Sequence, residues 1–95
     1  MELEFSGEIW HWRGPSPYHF VTVPEDDCRA LDEVAPAVSY GWGMIPARAQ
    51  VGDTSWTTAL FPKGGRYVVP LKDKVRAAEA LEIGTTVSVR LTVDV

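Results

Sequence analysis

The 95-residue chain is long enough for one domain, and its 45% hydrophobic and 23% charged residues are ordinary for a globular protein. The net charge of −4 disfavours a phosphate backbone as partner, and no apolar run approaches the roughly 18 residues that span a bilayer. The opening MELEFSGEIW carries acids where a signal peptide carries bases, and the single cysteine, Cys28, excludes an intrachain disulfide, so a cytoplasmic protein is expected.

In chain order, ELEFSGEIW alternates: Leu3, Phe5 and Ile9 share one face, and Glu2, Glu4, Ser6 and Glu8 the other. Gly7 interrupts the strand, where a bulge or bend is expected. Trp10 and Trp12 fall on the polar parity, so either their face is switched at Gly7 or something covers the outer side. RGPSP is a turn, and YHFVTV is a second strand completing a hairpin, in which His11 and His19 can face each other. PEDDCRALDEV reads as a helix: Pro24 suits its start, three acids follow at the positive end of the dipole, and Cys28, Leu31 and Val34 or Ala35 form the buried stripe.

SYGWGMIP is a glycine-flanked turn around Trp42. PARAQV is a short strand with Ala47, Ala49 and Val51 on one side and Arg48 and Gln50 on the other. Gly52 and Asp53 turn the chain into TSWTTALF, which Pro62 ends. KGGR is a tight hairpin loop in which Gly64 and Gly65 take positive φ. YVVPL follows, its Pro70 marking a strand end or edge. KDKVRAAEAL is a second helix with Val75, Ala78 and Leu81 inward, and Gly84 turns the chain after it. In TVSVRLTVDV, Val87, Val89, Leu91, Val93 and Val95 share one face, and a one-residue slip would bury the polar set instead.

Six strands are too many for one sheet with a single covered face in a chain this short. The expected fold is mainly β: a small closed six-stranded β-barrel with two short helices, one domain over residues 1–95, the helices plugging or flanking the barrel.

Three segments run in an order that resembles a known family: W-x-GP-x-x-YHFV (Trp12 to Val21), GWG-x-I (Gly41 to Ile45) and W-T-x-x-LFP (Trp56 to Pro62). Together with the flanking strands, the chain from about Phe5 to Val93 resembles the domain-of-unknown-function family DUF1905. Ala59 stands where the family pattern has serine. The resemblance implies a small closed β-barrel and no catalytic residues. VPLKDKVRAAEALEIGTTVSV also resembles half of an AbrB/MazE-type DNA-binding barrel, but Leu71 intervenes between Pro70 and Lys72, and Thr85 replaces the usual aspartate.

The commonest fate of a strand aromatic is the core. Trp12 breaks that expectation by parity and Trp42 by its loop position, so an aromatic and basic pocket is expected from Trp12, Arg13, His19, Trp42, Arg48 and Trp56. His11, His19 and Cys28 match no zinc spacing, so no metal is expected, and no pattern calls for a cofactor. Ser39, Ser55 and Thr57 lack a nucleophile elbow, and Cys28 on an apolar stripe reads as an inert thiol. Lys72 and Arg76 are expected to pair with Asp73 and Glu79. The leading expectation is a non-catalytic binding domain for a small anionic or aromatic ligand. The alternatives are a dimeric nucleic-acid-binding barrel, which the net charge opposes, an enzyme using His19 as base, and a module that binds a partner protein or a second copy.

Overall fold

The structure, a computed structural model, describes residues 1–14 and 18–95. Pro15, Ser16 and Pro17 of the expected RGPSP turn lie outside the described residues. Six strands form: β1 (Glu2–Trp12), β2 (Tyr18–Thr22), β3 (Ile45–Val51), β4 (Thr54–Lys63), β5 (Arg66–Leu71) and β6 (Thr86–Thr92). Two helices interrupt them, α1 (Glu25–Val38) after β2 and α2 (Asp73–Ala78) after β5. The strands close into a barrel in the order β1-β2-β5-β4-β3-β6, every pairing antiparallel. Closure gives each strand two neighbours, so no edge is left to template aggregation.

The alternation in β6 sets the inside of the wall. Val87, Val89, Leu91 and, just beyond, Val93 are buried, while Val95 is exposed past the strand end. On β1, Phe5 and Ile9 point the same way, and Leu3 packs against the same cluster. The interior is completed by Val21, Ile45, Ala47, Ala49, Val51, Trp56, Leu60, Val69 and Leu71. These are the residues that period-two alternation assigns inward on each strand.

β1 serves two partners. Its first part pairs with β6, Glu2↔Thr92 through Glu8↔Thr86, and its second with β2, Ile9↔Val21 through Trp12↔Tyr18. The expected bulge at Gly7 is absent: Gly7 pairs with Val87 in unbroken register. The glycine answers a steric need instead, because a Cβ there would stand 2.6 Å from Val21 Cγ1 inside the barrel. Trp10 and Trp12 therefore keep their outward parity, and the outer side is covered.

The helices close the two mouths. At one, α1 links β2 to β3 and lies against β3 and β5, burying Cys28 and Leu31, with Ala35 and Val38 partly buried. The Cys28 thiol donates to the Val23 carbonyl at 3.3 Å and accepts from the Tyr67 N–H at 3.4 Å. α1 runs a turn beyond its expected end, through Pro36. That proline is exposed, so water can take the carbonyl its missing N–H leaves free. At the other mouth, α2 links β5 to β6 and lies against β4. Glu79, just past it, accepts from the Thr54 hydroxyl at 2.6 Å, rather than pairing with a base as expected, while Arg76 does pair with Asp73 at 3.3 Å.

α2 also stops earlier than expected, at Ala78, and Ala78 is exposed. Ala80 turns left-handed at φ +52°, the Leu81 N–H returns to the Arg76 carbonyl at 2.9 Å, and the Ala80 N–H to the Ala77 carbonyl at 3.4 Å. These two bonds make a Schellman stop that turns Leu81 into the core. The position favours glycine, and alanine there carries a Cβ penalty. Within β5, Pro70 is the next-to-last residue, opposite Phe20 on the β2 side and past the ladder on the β4 side, in keeping with the expected strand end or edge. The β4–β5 ladder covers only Phe61↔Val68 to Lys63↔Arg66, so the missing Pro70 N–H breaks no bond, and its carbonyl accepts from the Trp56 indole N–H at 3.2 Å.

Two predictions arise here. Ala80→Gly is expected to raise stability by about 1 kcal/mol, seen as a higher urea midpoint at unchanged slope. Tyr67 is buried and donates to Asp32 Oδ1 at 2.9 Å; burial first, then this bond, push its phenol from 10.0 up to about 12. The neutral phenol is thus favoured by folding, so its contribution is complete below pH 10.0 and is lost as pH rises toward 12. Alkaline denaturation followed with Tyr67→Phe alongside should show the wild type losing its advantage across that window.

Candidate functional site

Outward parity places a second set of aromatics on the outer wall. Trp10 and Trp12 of β1, Tyr18 and Phe20 of β2, and Phe61 of β4 all stand on the face opposite their strands' inward aliphatics. Phe20 is buried yet lies outside the interior cluster. Three rings bury it: Trp10 at 5.2 Å between centroids, Tyr18 stacked at 5.5 Å and Phe61 edge-on at 6.4 Å. Trp10 is fixed in turn by its indole N–H, which donates to the Thr22 hydroxyl at 2.9 Å.

Between these rings runs an open groove of about 320 Å³, with Phe20 and Val68 at its floor and Trp12, Tyr18, Phe61, Pro62 and Lys63 around it. Trp12, Tyr18 and Phe61 remain 38%, 41% and 40% exposed, so each ring offers a face to solvent. The Lys63 ammonium sits 3.6 Å from the Trp12 ring centroid, tying the β1 border of the groove to its β4 border. Such a contact is worth about 0.5–1 kcal/mol in water and leaves the ammonium free to meet an anion.

The six residues expected to share one pocket fall into several places. Trp12 lines the groove. Arg13 follows it directly and is exposed. Trp42 is 96% exposed at the tip of the Tyr40–Met44 turn, where Gly41 and Gly43 both hold positive φ. That turn adjoins the groove, for Gly43 abuts the Pro62 ring, with a Cβ position 3.4 Å from its Cγ. Trp56 is 5% exposed and belongs to the interior. Arg48 lies on the outer face of β3, across the barrel from β2, in a separate hydroxyl-lined depression with Thr57, Thr58, Thr92 and Asp94.

His19 lies at the α2 mouth. It pairs across the ladder with His11, the rings 4.6 Å apart, as the hairpin reading anticipates. Burial first, then the Arg76 guanidinium and His11, hold its imidazole below the ordinary histidine value, against an opposing pull from Asp73. No group of three or more His, Cys, Asp or Glu side chains among the described residues is placed to hold a metal ion.

Tyr18, Phe20, Phe61 and Lys63 are the groove residues that sequence reasoning did not gather. The signal was present in β2, where Val21 and Val23 fix the inward parity and leave Tyr18 and Phe20 outward. Phe61 and Lys63 needed the β2-β5-β4 order, which no local pattern carries.

Comparison with protein-family models finds one described as "Domain of unknown function (DUF1905)", matching residues 5–91. Comparison with curated proteins returns no match.

Proposed function

The chain belongs to the DUF1905 family, whose description assigns no activity, and from the groove itself we propose that the barrel is a non-catalytic binding domain for a flat aromatic or apolar group carrying negative charge. One observation carries the reading: Trp12, Tyr18 and Phe61, each about two-fifths exposed, border a groove floored by Phe20 on the outside of a closed wall, where none of them contributes to the interior. Contiguous exposed apolar surface rimmed by polar groups is a feature of ligand grooves and partner surfaces. The groove's volume is at the lower end of the range for small-ligand sites and matches a bicyclic ring system. Lys63 supplies the positive charge. No nucleophile–base pair lines the groove among the described residues. A reducing, cytoplasmic setting fits the free, buried Cys28. No helix among the described residues is long and apolar enough to cross a membrane.

A second reading is favoured by Trp42. With Tyr40 it extends the apolar surface past Pro62, beyond what a small ligand covers. In that reading the same face docks a partner protein, with Trp42 as its anchor. A nucleic-acid partner finds less support, since a phosphate backbone would meet a net charge of −4.

The test uses the fluorescent aromatic anion 1-anilinonaphthalene-8-sulfonate with natively folded protein. Saturable enhancement is expected, weakened about tenfold by Trp12→Ala or Phe61→Ala and about threefold by Lys63→Gln, with Trp42→Ala without effect. Enhancement that Trp12→Ala and Phe61→Ala leave unchanged would refute the groove as the site. Loss on Trp42→Ala alone would move the site to the turn.

A further inference from the structure

At the α2 mouth, Tyr18, His19, Leu71, Lys72 and Asp73 bound a depression of about 170 Å³. Tyr18 borders both this depression and the aromatic groove, but the two are otherwise lined by different residues. The charges around it are mostly positive. Lys72 lines it, and Arg76 stands one helical turn further on. His19 lines it too, with His11 directly across the ladder at 4.6 Å. Among the described residues lining it, the one carboxylate is Asp73, 3.3 Å from the Arg76 guanidinium; its side chain is 97% exposed, so water screens it strongly.

One polar group here is unsatisfied. The Arg76 Nε is buried and has no hydrogen-bond partner among the described residues. Leaving such a donor without an acceptor costs about 1–3 kcal/mol, and more for a charged group. That Nε is closed to solvent and Arg76 does not itself line the depression, so its guanidinium acts there as a nearby positive charge, as it does on His19.

We infer that this mouth is an anion-binding site, taking a carboxylate, sulfate or phosphate group beside His19 and Lys72, with the Arg76 guanidinium as a further positive charge close by. The rival occupant is a transition metal bridged by the His11–His19 pair. The surrounding charges decide between them: the guanidinium and ammonium that would attract an anion would repel a dication. The inference is independent of the aromatic groove. If both hold, Tyr18 joins them, and a ligand with a ring and an oxyanion could span the two.

The site also has a built-in pH response. The groups facing His19 are His11 from β1, Lys72 at the end of β5, and Asp73 and Arg76 from α2, with Tyr18 beside it. In the free protein, burial, Arg76 and His11 disfavour the charged imidazole. A bound anion reverses part of that balance, so His19 should gain a proton more easily when the site is filled, and binding should strengthen as pH falls.

Sulfate is the probe, because its charge stays constant from about pH 5 to about pH 8 and any pH dependence then belongs to the protein. Titrations are followed by amide and imidazole NMR at low ionic strength. The expected result is saturable shifts at Tyr18, His19, Leu71 and Lys72, with binding about threefold tighter at the acid end and a raised His19 titration midpoint. Lys72→Gln and Arg76→Gln should each weaken binding about threefold, while Arg48→Gln on the far wall leaves it unchanged. Should Arg76→Gln fail to fold, Lys72→Gln and His19→Gln carry the test, the latter expected to abolish the pH dependence. Linear, unsaturated shifts, or equal affinity in the Lys72 and His19 variants, would overturn the inference. Tight binding of Zn²⁺ that shifts both imidazoles, with no sulfate effect, would overturn it in favour of the metal.

Discussion

The constraint on which the rest depends is the seam between the first and last strands. β6 pairs with β1 along seven residues and with β3 on its other side, and this closes the wall. Once the wall is closed, every strand residue must face either in or out, and period-two alternation decides which. Six strands enclose a narrow cylinder, and side chains fill it: even eight-stranded barrels leave room for little more. Phe5, Trp56 and Tyr67 with the valines, leucines and isoleucines complete that interior. The remaining large aromatics have nowhere to go but outside. A ligand site on this fold therefore forms on the outer wall or at a mouth, and the groove and the His19 depression occupy those two places.

The outer aromatics also explain one another. Phe20 is buried only because Trp10, Tyr18 and Phe61 flank it, and Lys63 covers one face of Trp12. The group forms a small second cluster, separated from the main core by the backbone of β1, β2, β5 and β4. Its rings are packed well enough to be held in place but leave faces open, the arrangement that lowers the ordering cost of binding.

The fold was legible in the sequence to the extent that local pattern fixes it. The alternation of β6 and β1, the acid-rich start of α1 and the glycines of the hairpin turns are all statements about neighbours in the chain. The errors lie where tertiary contacts override those neighbours. Gly7 reads as a bulge or bend in isolation; in the barrel its register is unbroken, and it makes room for Val21 from the adjacent strand. α2 reads as ten residues because alanine and glutamate favour helix; it stops at six because Leu81 gains more by entering the core than by extending the helix. Pro36 lies inside α1, where water can reach the carbonyl it leaves free, and Pro70 lies past the β4 ladder, where its missing N–H breaks no bond. For the sites, parity alone marked Trp12 and the hairpin alone paired His11 with His19. Assigning Arg48 and Trp56 to the same pocket as Trp12 failed to anticipate the wall between them, for that separation is a property of strand order.

The claim that a closed wall sorts these residues is tested most directly by amide hydrogen exchange along the seam. If the barrel is closed, the β1 and β6 amides that bond across Glu2–Glu8 and Thr86–Thr92 exchange only through global unfolding, as slowly as those between β3 and β4. Seam amides that exchange like those of an exposed edge, while the β3–β4 ladder stays protected, would show an open sheet; inside and outside would then lose their meaning, and both sites would lose the surface that forms them.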